Sequence, residues 1–203
     1  LQQNGSGKMN FIDRAILQRI KAMGVTHVWY TGVIRHATCT NYSSYNIPHQ
    51  NPAVVKGKAG SPYAITDYYD IDPDLAEDVP SRMAEFEALI KRTHRAGMKV
   101  IIDFVPNHVA RQYQSVTKPE GVKDLGADDD TNKHFSPNNN FYYCPGQAFT
   151  PKFDINNSEM GPYTECPAKA TGNDHFDASP SITDWYETIK LNYGIDYCDA
   201  GGR

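Results

Sequence analysis

No apolar run in this chain approaches the ~20 residues that cross a bilayer, so no transmembrane helix is expected. Charge of one sign is also lacking. Twenty Lys and Arg against 24 Asp and Glu leave a net −4, and no basic stripe recurs at helical spacing. Nucleic acid is therefore not an expected partner. The four cysteines (Cys39, Cys144, Cys166, Cys198) contain no Cys-x-x-Cys, which argues against zinc. Their even number permits disulfides without requiring them, and free buried thiols are the expected state. Gly5-Ser6-Gly7-Lys8 hints at a phosphate loop, but Met9 stands where Ser or Thr belongs and no glycine lies five residues before Gly7. Asp128-Asp129-Asp130 lacks the alternating spacing and central glycine of a calcium loop and reads as a solvated acidic turn. The chain opens Leu-Gln-Gln with no charged and apolar leader. It is expected either to have lost a leader or to be a piece of a longer protein.

Aromatic residues are plentiful. Thirteen Tyr and 2 Trp, many beside Asn, Asp and Gly, suit a surface that stacks on flat polar ligands such as sugar rings. For any single Tyr, filling a half-buried loop site is the simpler reading.

Periodicity gives two units of the same kind. Asn10 is expected to cap a helix from Phe11 to about Met23, with Ile12, Ile16, Ile20 and Met23 as its apolar stripe. Gly24 ends it, and Val25 to Val33 reads as a strand. Asp78 and Pro80 start a second helix with Met83, Phe86 and Ile90 on one face; Gly97 ends it, and Met98 to Val105 is the next strand. Helix–glycine–strand twice over predicts parallel α/β architecture. Residues 34–77 read as a long loop, and residues 109 to about 195 lose helical periodicity, with strand-like pieces such as Asn140 to Tyr143.

The second strand is the most informative stretch. Val100 to Val105 carries apolar residues on both sides of Asp103, so it reads as a strand buried on both faces. A carboxylate there needs a specific cation or donor set, since burying a polar group without partners costs about 2–7 kcal/mol. Pro106 closes the strand. Asn107 and His108 then lie at its carboxyl end, where α/β barrels place their chemistry.

Asp103-x-Val105-x-Asn107-His108 resembles the first signature motif of the α-amylase superfamily, glycoside hydrolase family 13. Pro62-Tyr63-Ala64-Ile65-Thr66-Asp67-Tyr68-Tyr69 is similar to the family's Gly-Tyr-x-x-x-Asp-x-Tyr segment, with Pro in place of Gly. Thr188-Ile189-Lys190-Leu191-Asn192 is similar to the short motif that closes the family's inserted domain, and Lys190 resembles the neopullulanase-like branch. The three motifs stand in family order and cover most of the chain.

The resemblance implies an incomplete (β/α)8 TIM barrel holding about strands two and three with their helices, plus an irregular inserted domain. Residues 1–108 would be the partial barrel, 109–195 the insertion, and 196–203 a return toward strand four. It implies an α-glucan-acting, retaining hydrolase or transglycosylase whose catalytic carboxylates lie beyond this chain, so the chain alone is expected to be inactive. His108 would hydrogen-bond a glucose hydroxyl, Tyr63 would be the aromatic platform under that sugar, and Asp103 would support them by pairing with an Arg this chain lacks. Asp67 would brace its loop. Asp70 and Asp72, in the same loop, have no reason to converge on Asp103. Many relatives hold calcium at the position of Asn107, but Lys190 stands where the Asp ligand belongs, so no metal is expected and Lys190 should bridge to Asn107. No cofactor is implied. The implied partners are an α-glucan or maltooligosaccharide and the remaining C-terminal part of the barrel, with a periplasmic or secreted setting favoured over a cytoplasmic one. The competing reading is a non-catalytic amylase-like barrel acting as a sugar-binding or partner subunit.

Overall fold

The computed structural model describes residues 7–154 and 160–197. Cys198 and most of the expected return toward strand four lie outside the described residues.

The first helix, α1, runs over Arg14–Ala22. Its cap is Asp13, whose carboxylate accepts from the Ile16 N–H at 2.9 Å, rather than Asn10, which donates to Glu77 at 3.1 Å. Met9–Phe11 form a separate 3-10 turn ahead of it. Leu17 is the residue α1 buries fully, whereas Met23, expected on the apolar stripe, is 74% exposed. Ile12, Ile16 and Ile20 are half-buried beside Leu17, so the expected stripe is present in part and fails at Met23, which lies past the last residue of α1.

The second helix, α2, spans Arg82–Arg95 after a 3-10 turn at Val79–Ser81. Glu85 reaches back to accept the Glu77 and Asp78 N–H groups at 3.0 and 2.8 Å, which satisfies donors ahead of the helix. Phe86 and Leu89 face the core with Met9, Val33, Ile71 and Ala76; Met83 is exposed instead. Each fully buried Leu of this kind stabilises by about 1.5–3 kcal/mol.

Strands β1 (His27–Tyr30) and β4 (Lys99–Ile102) pair in parallel, His27 opposite Lys99 through Tyr30 opposite Ile102. Both are shorter than the apolar runs that contain them. The expected burial on both faces does not hold among the described residues: Trp29, Ile101, Ile102 and Phe104 are all more than 40% exposed. Two parallel strands carry apolar side chains on both faces, but α1 and α2 supply cover for only part of that surface.

Residues 34–77 are not a plain loop. They hold β2 (Ile34–His36) and β3 (Ile65–Ile71), an antiparallel pair with Arg35 opposite Asp67 and a shifted register at each step. The charged residues in β3 conceal it from a hydrophobic pattern because they are buried in ion pairs. Further on, β5 (His108–Ala110) pairs antiparallel with β8 (Thr188–Lys190), and β6 (Tyr143–Cys144) with β7 (Ala168–Lys169). Val109, Phe141, Tyr143, Ile189 and Leu191 form the core between these pairs, joined by Tyr68 from β3. The expectation of free buried thiols fails at two positions: Cys39 is half-buried and Cys166 exposed, while Cys144 is buried with its thiol 3.5 Å from the Phe176 carbonyl.

Candidate functional site

His108 opens β5, and its placement follows from pairing rather than from β4. Its register partner is Lys190 on β8, and the Leu191 N–H donates to the Asn107 carbonyl at 3.0 Å. The first and third motifs, distant in sequence, are thus joined by backbone hydrogen bonds. Gly172 makes this approach possible, since a Cβ there would stand 2.7 Å from His108 Cβ and Cγ and from Thr188 Oγ1.

The protonation of His108 follows from its neighbours. The Asn107 amide nitrogen lies 2.9 Å from the Gly172 carbonyl and 3.0 Å from His108 Nδ1. A carbonyl can only accept, so the Asn107 NH2 donates to it and has a second hydrogen for Nδ1. Nδ1 is therefore an acceptor, and the neutral ring carries its proton on Nε2. Burial pushes the His108 pKa down, and the Lys190 ammonium adds to the shift. The ring stays uncharged at neutral pH, with one N–H to offer.

Tyr63 is half-buried and reached by a loop that lies close against β2. Gly60, at φ +69°, allows that approach: a Cβ there would stand 1.7 Å from the Ala37 carbonyl oxygen. Thr31 Oγ1 donates to Asp103 at 3.1 Å, and the Tyr63 hydroxyl and the Trp29 indole stand near enough to favour its charged form. Burial would raise the Asp103 pKa, but these donors hold it below the usual carboxylate range. Asp103 lies just past the end of β4 and is half-exposed, so its partners here are neutral donors and not an arginine.

Tyr63 and His108 line one open cleft of about 170 Å³ together with Lys56, Ser61, Trp185, Glu187 and Thr188. Trp185 and Glu187 are not among the residues the motifs pointed to. Trp185 meets the His108 ring edge-on at 5.2 Å between centroids and is 42% exposed. A signal for it existed: one of only two Trp residues, it lies three residues before the third motif.

Other expected positions separate from the cleft. Asp67 is fully buried and accepts from Arg35, Ser115, Thr117 and the Tyr69 and Val116 N–H groups, bracing 115–117 against β3. Asp70 takes a two-pronged hydrogen bond from Arg82 at 2.7 and 2.9 Å, and Asp72 pairs with His36 at 2.9 Å. The Lys190 ammonium goes to the Asp174 carboxylate and over the Tyr197 ring, not to Asn107. The segment of Lys190 still meets the chain beside Asn107 through backbone, with Lys190 opposite His108 and the Leu191 N–H on the Asn107 carbonyl. Nor do these residues fit calcium, which prefers carboxylate oxygens: an ammonium holds the nearby Asp174, and the Asn107 amide turns its nitrogen toward its neighbours. Among the described residues no three His, Cys, Asp or Glu side chains converge as a metal site.

The family model "Alpha amylase, catalytic domain" matches residues 2–162. Maltase 1 of Drosophila virilis is 28% identical over 142 residues, covering 66% of this chain and 18% of that protein. Amino acid transporter heavy chain SLC3A1 of Rattus norvegicus is 39% identical over 51 residues, covering 25% of this chain and 7% of that protein. Among solved structures, an α-amylase from Lactobacillus plantarum is 33% identical at a TM-score of 0.40, covering 53% of this chain and 21% of that one. The chain spans less than a fifth of the length of the curated relatives it matches, 18% for maltase 1. Its matched residues take in both helices and β1 to β6, and the chain belongs to the α-amylase family as part of that family's TIM-barrel catalytic domain.

Proposed function

We propose that this chain is the sugar-contacting part of an α-glucan-acting, retaining glycoside hydrolase or transglycosylase. The observation that carries the reading is the shared cleft, which Tyr63 and His108 line together with Trp185. The phenol ring of Tyr63 lines that cleft and presents a face for a sugar ring. His108 offers Nε2–H to a sugar hydroxyl, a bond that strengthens as the ring distorts toward an oxocarbenium-like transition state.

In this reading β1 and β4 are barrel strands two and three. Residues 109–195 are an inserted domain. Retaining chemistry needs two carboxylates about 5–5.5 Å apart, and these would come from barrel strands beyond Arg203. The exposure of Trp29, Ile101, Ile102 and Phe104 supports a sheet that continues in a longer protein. The setting that goes with this reading is periplasmic or secreted. The test is turnover of maltooligosaccharides by the full-length protein and by its His108→Ala variant. A 10-fold or greater drop in catalytic efficiency supports the sugar contact, and a change within twofold overturns it. The isolated 203-residue chain should not hydrolyse a chromogenic maltoside.

The likeness to an amino acid transporter heavy chain favours one second reading, a non-catalytic barrel that serves as a partner subunit. A full-length protein that binds maltotriose without cleaving it, or binds no sugar at all, would select that reading.

A further inference from the structure

Among the described residues, Glu187 is the buried carboxylate whose hydrogen bonding does not close. Its residue is 4% exposed, and Oε2 has no hydrogen-bond partner among those residues. Oε1 lies 3.8 Å from the ammonium of Lys56, beyond hydrogen-bond range, and the Lys56 side chain is 48% exposed. The other buried acids are well supplied. Glu165 takes Arg111 at 2.7 Å, the Tyr163 hydroxyl at 2.7 Å and the Lys169 N–H at 2.8 Å, and Glu85 takes two backbone N–H groups. An ionised carboxylate presents about four acceptor sites, and leaving them undonated in a buried place is costly.

Its backbone gives it no way out. The Glu187 carbonyl accepts from the Arg111 N–H at 3.2 Å, and the Tyr186 carbonyl from Arg111 Nε. Thr188 binds back to the Trp185 carbonyl through both its N–H and its hydroxyl, at 2.9 and 2.7 Å. The segment is fixed, and the side chain lines the cleft shared by Tyr63, His108 and Trp185. The missing donors must enter through that cleft.

Resting on the α-glucan reading above, we propose that Glu187 is a specificity-determining residue, accepting hydrogen bonds from hydroxyls of a neutral sugar and turning away sugars that carry an anionic group at that place. A site built to pair with a hydroxyl discriminates strongly against ligands that cannot supply it, because its own polar group is then left alone. Lys56 offsets the charge from the outer side and sets how strongly anions are refused.

The experiment uses the full-length protein and its Glu187→Gln and Lys56→Met variants, with the melting temperature of each measured beside that of wild type. Kinetics are read on maltotriose and on its monodeoxy analogues, with maltose 6′-phosphate as the anionic competitor. Glu187→Gln should raise KM for maltotriose at least 10-fold with kcat within about threefold. The one deoxy position that penalises wild type should no longer penalise this variant. It should also bind the phosphorylated competitor at least 10-fold more tightly than wild type does, whereas Lys56→Met should bind it more weakly. If Glu187→Gln alters only the melting temperature, the carboxylate pairs with water and the proposal is overturned. If that variant does not fold, an unchanged affinity of Lys56→Met for the phosphorylated sugar overturns it. A wild-type protein that neither binds nor cleaves any of these glucans overturns the functional reading, and this proposal with it.

Discussion

Asn107 gives one amide hydrogen to Nδ1 of His108 at 3.0 Å and the other to the Gly172 carbonyl at 2.9 Å, so a single side chain sets the tautomer of the cleft histidine. Asn107→Asp replaces that donor with an acceptor. The His108 proton should move to Nδ1 and its pKa should rise, because a carboxylate favours the imidazolium. Nitrogen NMR of His108 checks the tautomer directly. In the full-length protein, catalytic efficiency on maltotriose should fall about 10-fold, about 1.4 kcal/mol. It should also acquire a pH dependence between about 5 and 8 that the wild type lacks at this residue.

Gly172→Ala tests the steric side of the same arrangement. The added methyl would meet His108 and Thr188 at 2.7 Å, and both belong to a fixed strand pair. Overpacking of this kind costs about 1–3 kcal/mol. The variant should melt earlier and lose sugar affinity together. Unchanged affinity with a lowered melting temperature would separate packing from the cleft.

His36 should act in the opposite pH sense to His108. Its Nδ1 faces the Asp72 carboxylate at 2.9 Å and its Nε2 faces the Ala59 carbonyl at 3.2 Å, so both ring nitrogens meet acceptors. Burial opposes the charged ring, but Asp72 and the carbonyls of Ile34 and Ala59 outweigh it and raise the pKa. A raised folded-state pKa contributes stability that is fully present below the unfolded value, about 6.5, and is lost as pH rises through the folded value. The melting-temperature gap between wild type and His36→Gln should therefore be largest under mildly acidic conditions and shrink as pH rises. A gap that is flat with pH would rule out the charged ring.

Arg111 ties the segments around the cleft together: it pairs with Glu165 at 2.7 Å, stacks on Phe149 at 3.9 Å, and is buried. Arg111→Met leaves Glu165 without its cation and should cost about 3–5 kcal/mol in urea unfolding of the full-length protein. The double change Arg111→Met with Glu165→Leu should recover part of that loss, since no buried charge then stands alone.

The isolated 203-residue chain should self-associate. Trp29 and Phe104, 62% and 61% exposed, lie on or just past the sheet with Ile101 and Ile102, making an apolar surface beside an unpaired strand edge. Light scattering should rise with concentration and fall on Trp29→Ser with Phe104→Ser. A monodisperse monomer with a sharp cooperative melt would contradict this.

Local signals made part of this legible. The apolar runs ending at Gly24 and Gly97 placed both helix–strand units, because a helix stripe and a strand pattern are properties of neighbouring residues. Boundaries slipped where a cap decided them: Asp13 outcompeted Asn10, which found Glu77 instead. Strand β3 escaped notice because Thr66, Asp67 and Asp70 break the apolar alternation that marks a strand. Their burial is tolerated only because Arg35, Arg82 and the 115–117 segment supply donors from elsewhere.

By itself the sequence determined which residue types stand at the motif positions, and so the family, the parallel pairing of two strands and the candidacy of Tyr63 and His108. Tertiary structure decided what those residues face. The tautomer of His108 depends on the carbonyl of Gly172, far along the chain, and the donors on Asp103 come from different segments. Trp185 and Glu187 join the cleft only through the pairing of β5 with β8 and the hold of Arg111. Periodicity records which face of an element is apolar. It carries no record of which distant donor will meet a buried acceptor, because that pairing is settled by chain closure and packing rather than by neighbours in sequence.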